Sequence, residues 1–476
     1  MTKHAILVGA ALVLAAGCAL GPRKGGSLAG CAVVPAPLVR LPEVTVPSDP
    51  EQTAPVVLAA YDEPVLAEQD QDAQQVRSPE PVQVYGEGLT IETLEQLALA
   101  NNPVVGQAAA RVRALQGKCW QVGLKPNPTI GYVAGEMGNN GTAGQQGGFA
   151  GQQFVTAGKL QKNRAVVRAE IEKAEQVLAA TRLRVRTDIR LSYYRALVAQ
   201  QRVELAMSLV EAAGEAVKTS EDLIAAQEIP RAALLQTEVE QQNAEIAMLT
   251  AENELAAVWQ QMSAIAGEVR LPRQPLAGDP TILPSDLSWD EAFSRLTTKS
   301  PEIATAMAEL SRSRRALNRA CVEAVPDVNG QLSVQYDDST SDTIASVQVG
   351  VPLPLWNRNQ GGIRQAQAEV SVASQNIQRV TLDLNSRLAV AYQDYSSSKA
   401  QVETYSTEIL PRAAETYDLV RRGYAAGEVG YLELLTAQRT YAETNLTYLD
   451  ALDSLWRNWT RIDGLLLDGS LTNKPQ

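Results

Sequence analysis

The chain has 476 residues, with 42 Lys and Arg against 54 Asp and Glu, a formal net charge of −12, one histidine and four cysteines. An acidic balance without a basic block excludes the electrostatic footprint of a nucleic-acid binder, and 45% apolar residues exclude a wholly disordered chain. The lone imidazole, His4, lies at the extreme N-terminus, so the body of the chain has no His-based triad or His-Glu metal motif. No phosphate loop or nucleophile elbow stands in a strand-turn-helix setting either. We therefore expect no catalytic residue, no cofactor, no resident metal and no enzyme activity. Aromatic residues are only 5%, and long stretches are rich in Ala, Leu, Glu, Gln and Arg, which favours long helices.

Residues 1–18 read as a lipoprotein-type signal peptide. A short basic start, Met1 to His4, precedes the apolar run Ala5 to Ala16 and then Gly17 and Cys18. That run is shorter than the roughly 20 residues of a membrane span. The string ending at Cys18 resembles a bacterial lipobox, although Ala15 stands where Leu is usual. Leu28 to Cys31 is a second match, but Arg23 and Lys24 separate it from the apolar run, so Cys18 is the favoured lipidation site. Acyl chains on it would hold the N-terminus at a membrane. Residues 19–88, rich in Pro, Gln and acids, read as an extended linker. Cys119 and Cys321 remain in the body, where two unpaired buried thiols are expected over a disulfide.

An internal repeat organises the rest. The segment from Leu89 to Pro103 recurs from Leu287 to Pro301 at an offset of 198, and Pro128 and Pro326 keep it. Ala225 to Leu235 recurs at Ala425 to Leu435, at an offset of 200. We expect a first repeat at 89–267, an inter-repeat linker at 268–286, a second repeat at 287–467 and a C-terminal tail at 468–476. Each repeat reads as a short helix, a medium helix, two strands, a very long helix, a tight turn and a return helix. Glu92 and Asp290 fall at matching helix starts, where acids favour the helix dipole.

The long helices carry heptad-like stripes: Val167, Ile171, Ala174, Leu178, Val185 and Ile189 in the first, and Val370, Ala373, Ile377, Val380, Leu384 and Leu388 in the second. The arginines between them, Arg182, Arg184, Arg186 and Arg190, read as a solvated or inter-helix face. Strands are expected at about 128–136, 147–155, 326–337 and 343–353. From Val328 apolar and polar residues alternate with a period of two, which suits either a sheet on a core or a barrel with a wet lumen. Four strands cannot close a lipid-exposed barrel, so a membrane role requires several protomers to share one.

With these features the chain resembles the outer-membrane efflux factor family, the TolC-like channels of tripartite pumps, over about Leu89 to Leu467. The resemblance implies a mainly α protomer with a small β part, long coiled-coil-like helices and four strands contributing to a trimeric twelve-stranded barrel. The most specific match is Arg422 to Arg439, similar to the family's helix-turn-helix at the periplasmic tip. It implies tip turns at Gln227, Glu228 and Pro230 in the first repeat and Gly427, Glu428, Val429 and Gly430 in the second. Gly427 and Gly430 can take backbone angles closed to other residues, and Pro230 can open a return helix at its first turn. Glu433 stands where relatives carry an aperture acid, with Thr436 where a second is common.

The string Val351 to Gly362 resembles the cobalt-zinc-cadmium resistance branch, and within it Trp356 suits a membrane interface. The implied function is a passive outer-membrane conduit for divalent heavy-metal cations, opened by an iris-like movement of the tip helices. The implied partners are two further copies in a homotrimer, a periplasmic adaptor protein, an inner-membrane resistance-nodulation-division pump and outer-membrane lipid. The implied place is the bacterial outer membrane, extending into the periplasm. Export of organic compounds by the same fold is the alternative, and a structural periplasmic coiled-coil lipoprotein is the alternative of a different class.

Overall fold

A computed structural model describes residues 88–138 and 143–471. The signal segment, Cys18, Cys31, most of the linker and the last five residues of the tail lie outside them. The first repeat runs α1 (Ile91–Asn101), α2 (Pro103–Gln121), β1 (Thr129–Gly138), β2 (Ala143–Phe154), α3 (Lys159–Ala225) and α4 (Arg231–Ala266). The second repeats the order with α5 (Trp289–Lys299), α6 (Pro301–Val322), β3 (Val328–Asp337), β4 (Asp342–Gly350), α7 (Gln360–Thr404), a π turn (Tyr405–Ile409), α8 (Leu410–Ala425) and α9 (Tyr431–Asp463).

The repeat is reproduced down to the helix starts. Asn102 and Ser300 both separate a short helix from a medium one with the same extended backbone, φ −65° with ψ 120° and 122°, and each is followed by a proline at the first helical position. Proline lacks the N–H that a first turn leaves unpaired, so it starts a helix without loss. Thr90 caps α1 and Ser288 caps α5, the latter in a reciprocal pair with Glu291. Gly158 and Asn359, which precede α3 and α7, both take left-handed backbone angles. With 67 residues α3 is about 100 Å long.

Two apolar cores hold the middle of the helices. One joins Leu94 and Ala98 of α1 to Val185, Ile189 and Tyr193 of α3 and Val258, Trp259 and Met262 of α4. The other joins Ala292 and Leu296 of α5 to Leu384, Leu388 and Tyr395 of α7 and Leu449, Leu452, Leu455 and Trp456 of α9. Indole N–H groups pin the irregular segment between the repeats: Trp259 donates to the Leu271 carbonyl at 3.0 Å and Trp456 to that of Pro280 at 2.7 Å. An ion-pair ladder then ties the repeats together. Glu95 takes Arg186 and Arg190, and Asp463 takes Arg190 and Arg295. Arg186 and Arg190 therefore serve an inter-helix face, and Glu95 rather than Glu92 is their acid.

The strands form one antiparallel sheet in the order β1-β2-β3-β4, so β2 and β3 pair across the repeats and β1 and β4 are its edges. Asp327 anchors the sheet to α3, accepting from Thr156 N–H at 3.0 Å and from Lys159 at 2.9 Å. Both cysteines of the body are free thiols, but the expectation that both are buried fails: Cys321 is exposed and Cys119 only half-buried. Each lies in the last turn of its helix, just before the strands. Among the described residues no helix is long and apolar enough to cross a membrane.

Candidate functional site

The sheet is inverted relative to a soluble one. Register sets Ile130, Ala150, Leu332 and Val347 in one row across all four strands, and Tyr132, Gly148, Val334 and Ala345 in the next. This is the exposed face, with Ile130 82%, Leu332 50% and Val347 76% accessible. The alternate rows are mostly polar on β3 and β4: Gln331 pairs with Gln348, Ser333 with Ser346, and Asp337 with Asp342, while Phe149, Val133 and Ile344 share these rows. Ser333 and Asp337 on this face are only 8% accessible. Apolar residues out and polar residues in is the arrangement that hydrocarbon outside and water inside demand. The strands carry Glu136, Asp337 and Asp342 and no Lys or Arg. Trp356, just beyond β4, is 87% exposed, and Leu353, Leu355, Trp120 and Phe154 add exposed apolar surface near the strand ends. Trp120 was not singled out from sequence, because it ends a helix whose other residues give no interfacial signal.

At the far ends of the long helices the two tip turns share one geometry. In the first, Glu228 N–H donates to the Leu223 carbonyl and Gln227 N–H to that of Ile224, both at 2.9 Å. In the second, Glu428 N–H donates to Gly423 at 2.9 Å and Gly427 N–H to Tyr424 at 3.0 Å. This crossed pair of bonds satisfies helix-end carbonyls and requires a left-handed residue just past the cap. Gln227 (φ 62°) and Gly427 (φ 74°) occupy that position. Gly430 does not: its φ of −76° is open to any residue, so no special freedom is needed there. Pro230 likewise precedes the return helix as its cap, with φ −75° and ψ 152°, and the first turn begins at Arg231. Both residues hold an extended backbone that sets the exit from the turn. Gln227→Gly is therefore expected to stabilise the fold by about 1 kcal/mol and Gly427→Ala to destabilise it by a similar amount, read as opposite shifts in thermal midpoint.

Glu433 reaches back to the start of its own helix, accepting from Gly430 N–H at 2.9 Å. It also lines a cleft of about 700 Å³ between α8 and α9, with Arg412, Thr416, Leu432, Thr436 and Thr440 among the other walls.

The two tip hairpins are fastened to each other by groups that sequence reading did not single out. Ser220 of α3, fully buried, lies with its Oγ 2.9 Å from the hydroxyl of Tyr424 of α8, itself 3% exposed. Ser220 spends its own hydrogen on the Ala216 carbonyl at 2.8 Å, so Tyr424 is the donor in the pair. Arg421 reaches Glu215 at 3.2 Å, and Arg439 of α9 pairs with Glu240 of α4. Tyr431 packs beside Tyr424 with ring centroids 6.3 Å apart, and burial pushes its phenol up to about 12. Opening the tip breaks this buried hydrogen bond and uncovers the Tyr424 ring. The only sequence clue was a Tyr among the alanines before Gly427.

A duplicated protomer with rods at one end, a four-stranded inverted sheet at the other and two unclosed sheet edges is the subunit of an outer-membrane channel. The profile of the outer membrane efflux protein family matches residues 94–268 and 292–466, and the chain belongs to that family. The cobalt-zinc-cadmium resistance protein CzcC of Cupriavidus metallidurans is 27% identical over 379 residues, covering 79% of this chain and 90% of that protein. The nickel-cobalt-cadmium resistance protein NccC of Alcaligenes xylosoxydans xylosoxydans is 24% identical over 303 residues, 61% of this chain and 67% of that one. Among solved structures CusC, studied for folding and transmembrane channel formation, shares the fold with a TM-score of 0.66 at 18% identity, covering 80% of this chain and 92% of its own.

Proposed function

We propose that the chain is the outer-membrane component of a divalent heavy-metal efflux pump, a passive conduit that carries cations from the periplasm to the exterior. Three copies close their sheet edges, β4 of one against β1 of the next, into a twelve-stranded barrel, which leaves no peptide group unpaired in lipid. A lipid on Cys18, a periplasmic adaptor at the tip turns and an inner-membrane resistance-nodulation-division pump complete the assembly. Energy enters at the pump.

The observation that carries the choice of cations is the charge of the strands, acidic at Asp337 and Asp342 on the polar face with no Lys or Arg on any strand. A narrow passage with low-dielectric walls and fixed negative charge concentrates cations and excludes anions. The resistance names of CzcC and NccC point the same way. The tip is the gate: swinging the α8–α9 hairpin off the α3–α4 hairpin breaks the Ser220–Tyr424 bond and the Arg421–Glu215 and Arg439–Glu240 pairs, and widens the aperture where Glu433 stands.

Reversal potentials across planar bilayers under a salt gradient test the charge. Cation preference is expected, and a Glu433→Gln variant is expected to reduce it while conducting as well. Anion preference in the parent protein would remove the proposal; unchanged selectivity in the variant would remove Glu433 from it.

A further inference from the structure

The second repeat differs from the first in one feature of its long helix. Where α3 runs unbroken for 67 residues, the same span of the second repeat is divided into α7, the π turn Tyr405–Ile409 and α8. We propose that this π turn, with Pro411 behind it, is the hinge on which the α8–α9 hairpin swings. Such a hinge presupposes that the tip is the gate.

The cause of the break is local. Pro411 has no N–H for the carbonyl of Thr407 four residues earlier, and its ring crowds that carbonyl, so a widened turn is the relaxed solution. Side chains then supply donors to the ladder around it. Thr404 Oγ1 donates to the Ala400 carbonyl at 2.8 Å, and Thr407 Oγ1 and Ser406 Oγ to that of Glu403 at 2.7 and 3.2 Å. Hydroxyls bonded back to the preceding turn loosen a helix and let it bend. The matching stretch of α3, two hundred residues earlier, runs from Leu205 to Glu211 and has no proline, and its one hydroxyl, Ser208, donates to the Leu205 carbonyl at 2.7 Å without breaking the helix.

The break also falls where packing changes. Above it α7 is held by buried Leu384, Leu388, Ala391, Tyr395 and Val402. The π turn itself buries nothing, and α8 buries Tyr424 alone. Across from it α9 has no buried residue between Ala437 and Leu449, so it can follow by gentle bending. The cleft between α8 and α9 begins at this level, with Ile409, Arg412 and Ala413 facing Thr440 and Thr444. An anchored stem, a weak turn and a loosely packed arm fastened only at its far end make a lever. The 16 residues of α8 span about 24 Å, so a swing of about 10° moves the tip by about 4 Å.

The test uses the full-length purified channel and two readouts. In hydrogen exchange, the amides of 405–410 are expected to exchange at least about tenfold faster than those of 396–402 and of 205–210, and Pro411→Ala is expected to slow them several-fold by restoring a helical N–H. Exchange as slow as in the flanks, or unchanged by the variant, overturns the hinge. In bilayers, Pro411→Ala added to a Tyr424→Phe, Arg421→Ala background is expected to lower the open fraction by about fivefold. An open fraction that Pro411→Ala leaves unchanged in a background that does open overturns the hinge as the route of opening. If the background itself opens no more than the parent, the gate assignment falls, and the exchange contrast alone decides the hinge.

Discussion

Tyr424→Phe combined with Arg421→Ala is expected to raise the open fraction of the purified channel by about tenfold or more. The first change removes the donor to Ser220 and leaves a buried oxygen short of a partner, at a cost of about 1 kcal/mol to the fastened state. The second removes the pair with Glu215, which is exposed on both sides and contributes at most a few tenths to 1 kcal/mol. Together they approach the 1.4 kcal/mol that makes a factor of ten, and three copies would compound it. Arg422→Ala is the control, because Arg422 pairs with Asp418 on its own helix and so fastens nothing across the tip. Single-channel recording separates the two. Equal open fractions from both variants would show that the Ser220–Tyr424 bond and the Arg421–Glu215 pair hold no gate.

The second large effect is expected at the sheet. Lys in place of Leu332 or Val347 puts a charge into the exposed apolar row, which in a lipid-facing position costs about 2 to 4 kcal/mol per chain near the bilayer midplane. Outer-membrane content of the variant is expected to fall several-fold. Gln331→Glu or Gln348→Glu, one residue away along the same strands, faces the polar side and is expected to insert normally. Equal loss from both faces would mean that the apolar row does not meet lipid.

Much of the fold was legible because the repeat doubles every signal. A helix start marked once by Asn102-Pro103 is weak, but its recurrence at Ser300-Pro301 makes the break structural, and the two backbones agree closely. The alternation from Val328 onward identified strands but left their faces open. On β3 burial separates them, and the register carries that assignment to β4, because burial depends on what covers the sheet and not on the period.

The tip was only half legible. Gly427 announces its left-handed turn, whereas Gln227 adopts the same angles without announcing them, and Gly430 suggests a freedom its backbone does not use. The fastening of the hairpins was invisible for a different reason. Ser220 and Tyr424 are 204 residues apart, and one hydrogen bond between two helices leaves no periodic trace. The π turn was hidden too, since Pro411 inside a helical pattern signals a kink without saying whether the helix stops, bends or widens.

The most direct measurement of the central claim is the cellular content of zinc, cobalt, cadmium, nickel and copper in a deletion strain and its complemented parent, with dye efflux run alongside. Accumulation of one or two of these metals, restored by the intact gene and not by a Leu332→Lys variant, with dye export normal throughout, is the predicted result. Unchanged metal content with impaired dye export would contradict it and assign the channel to organic compounds.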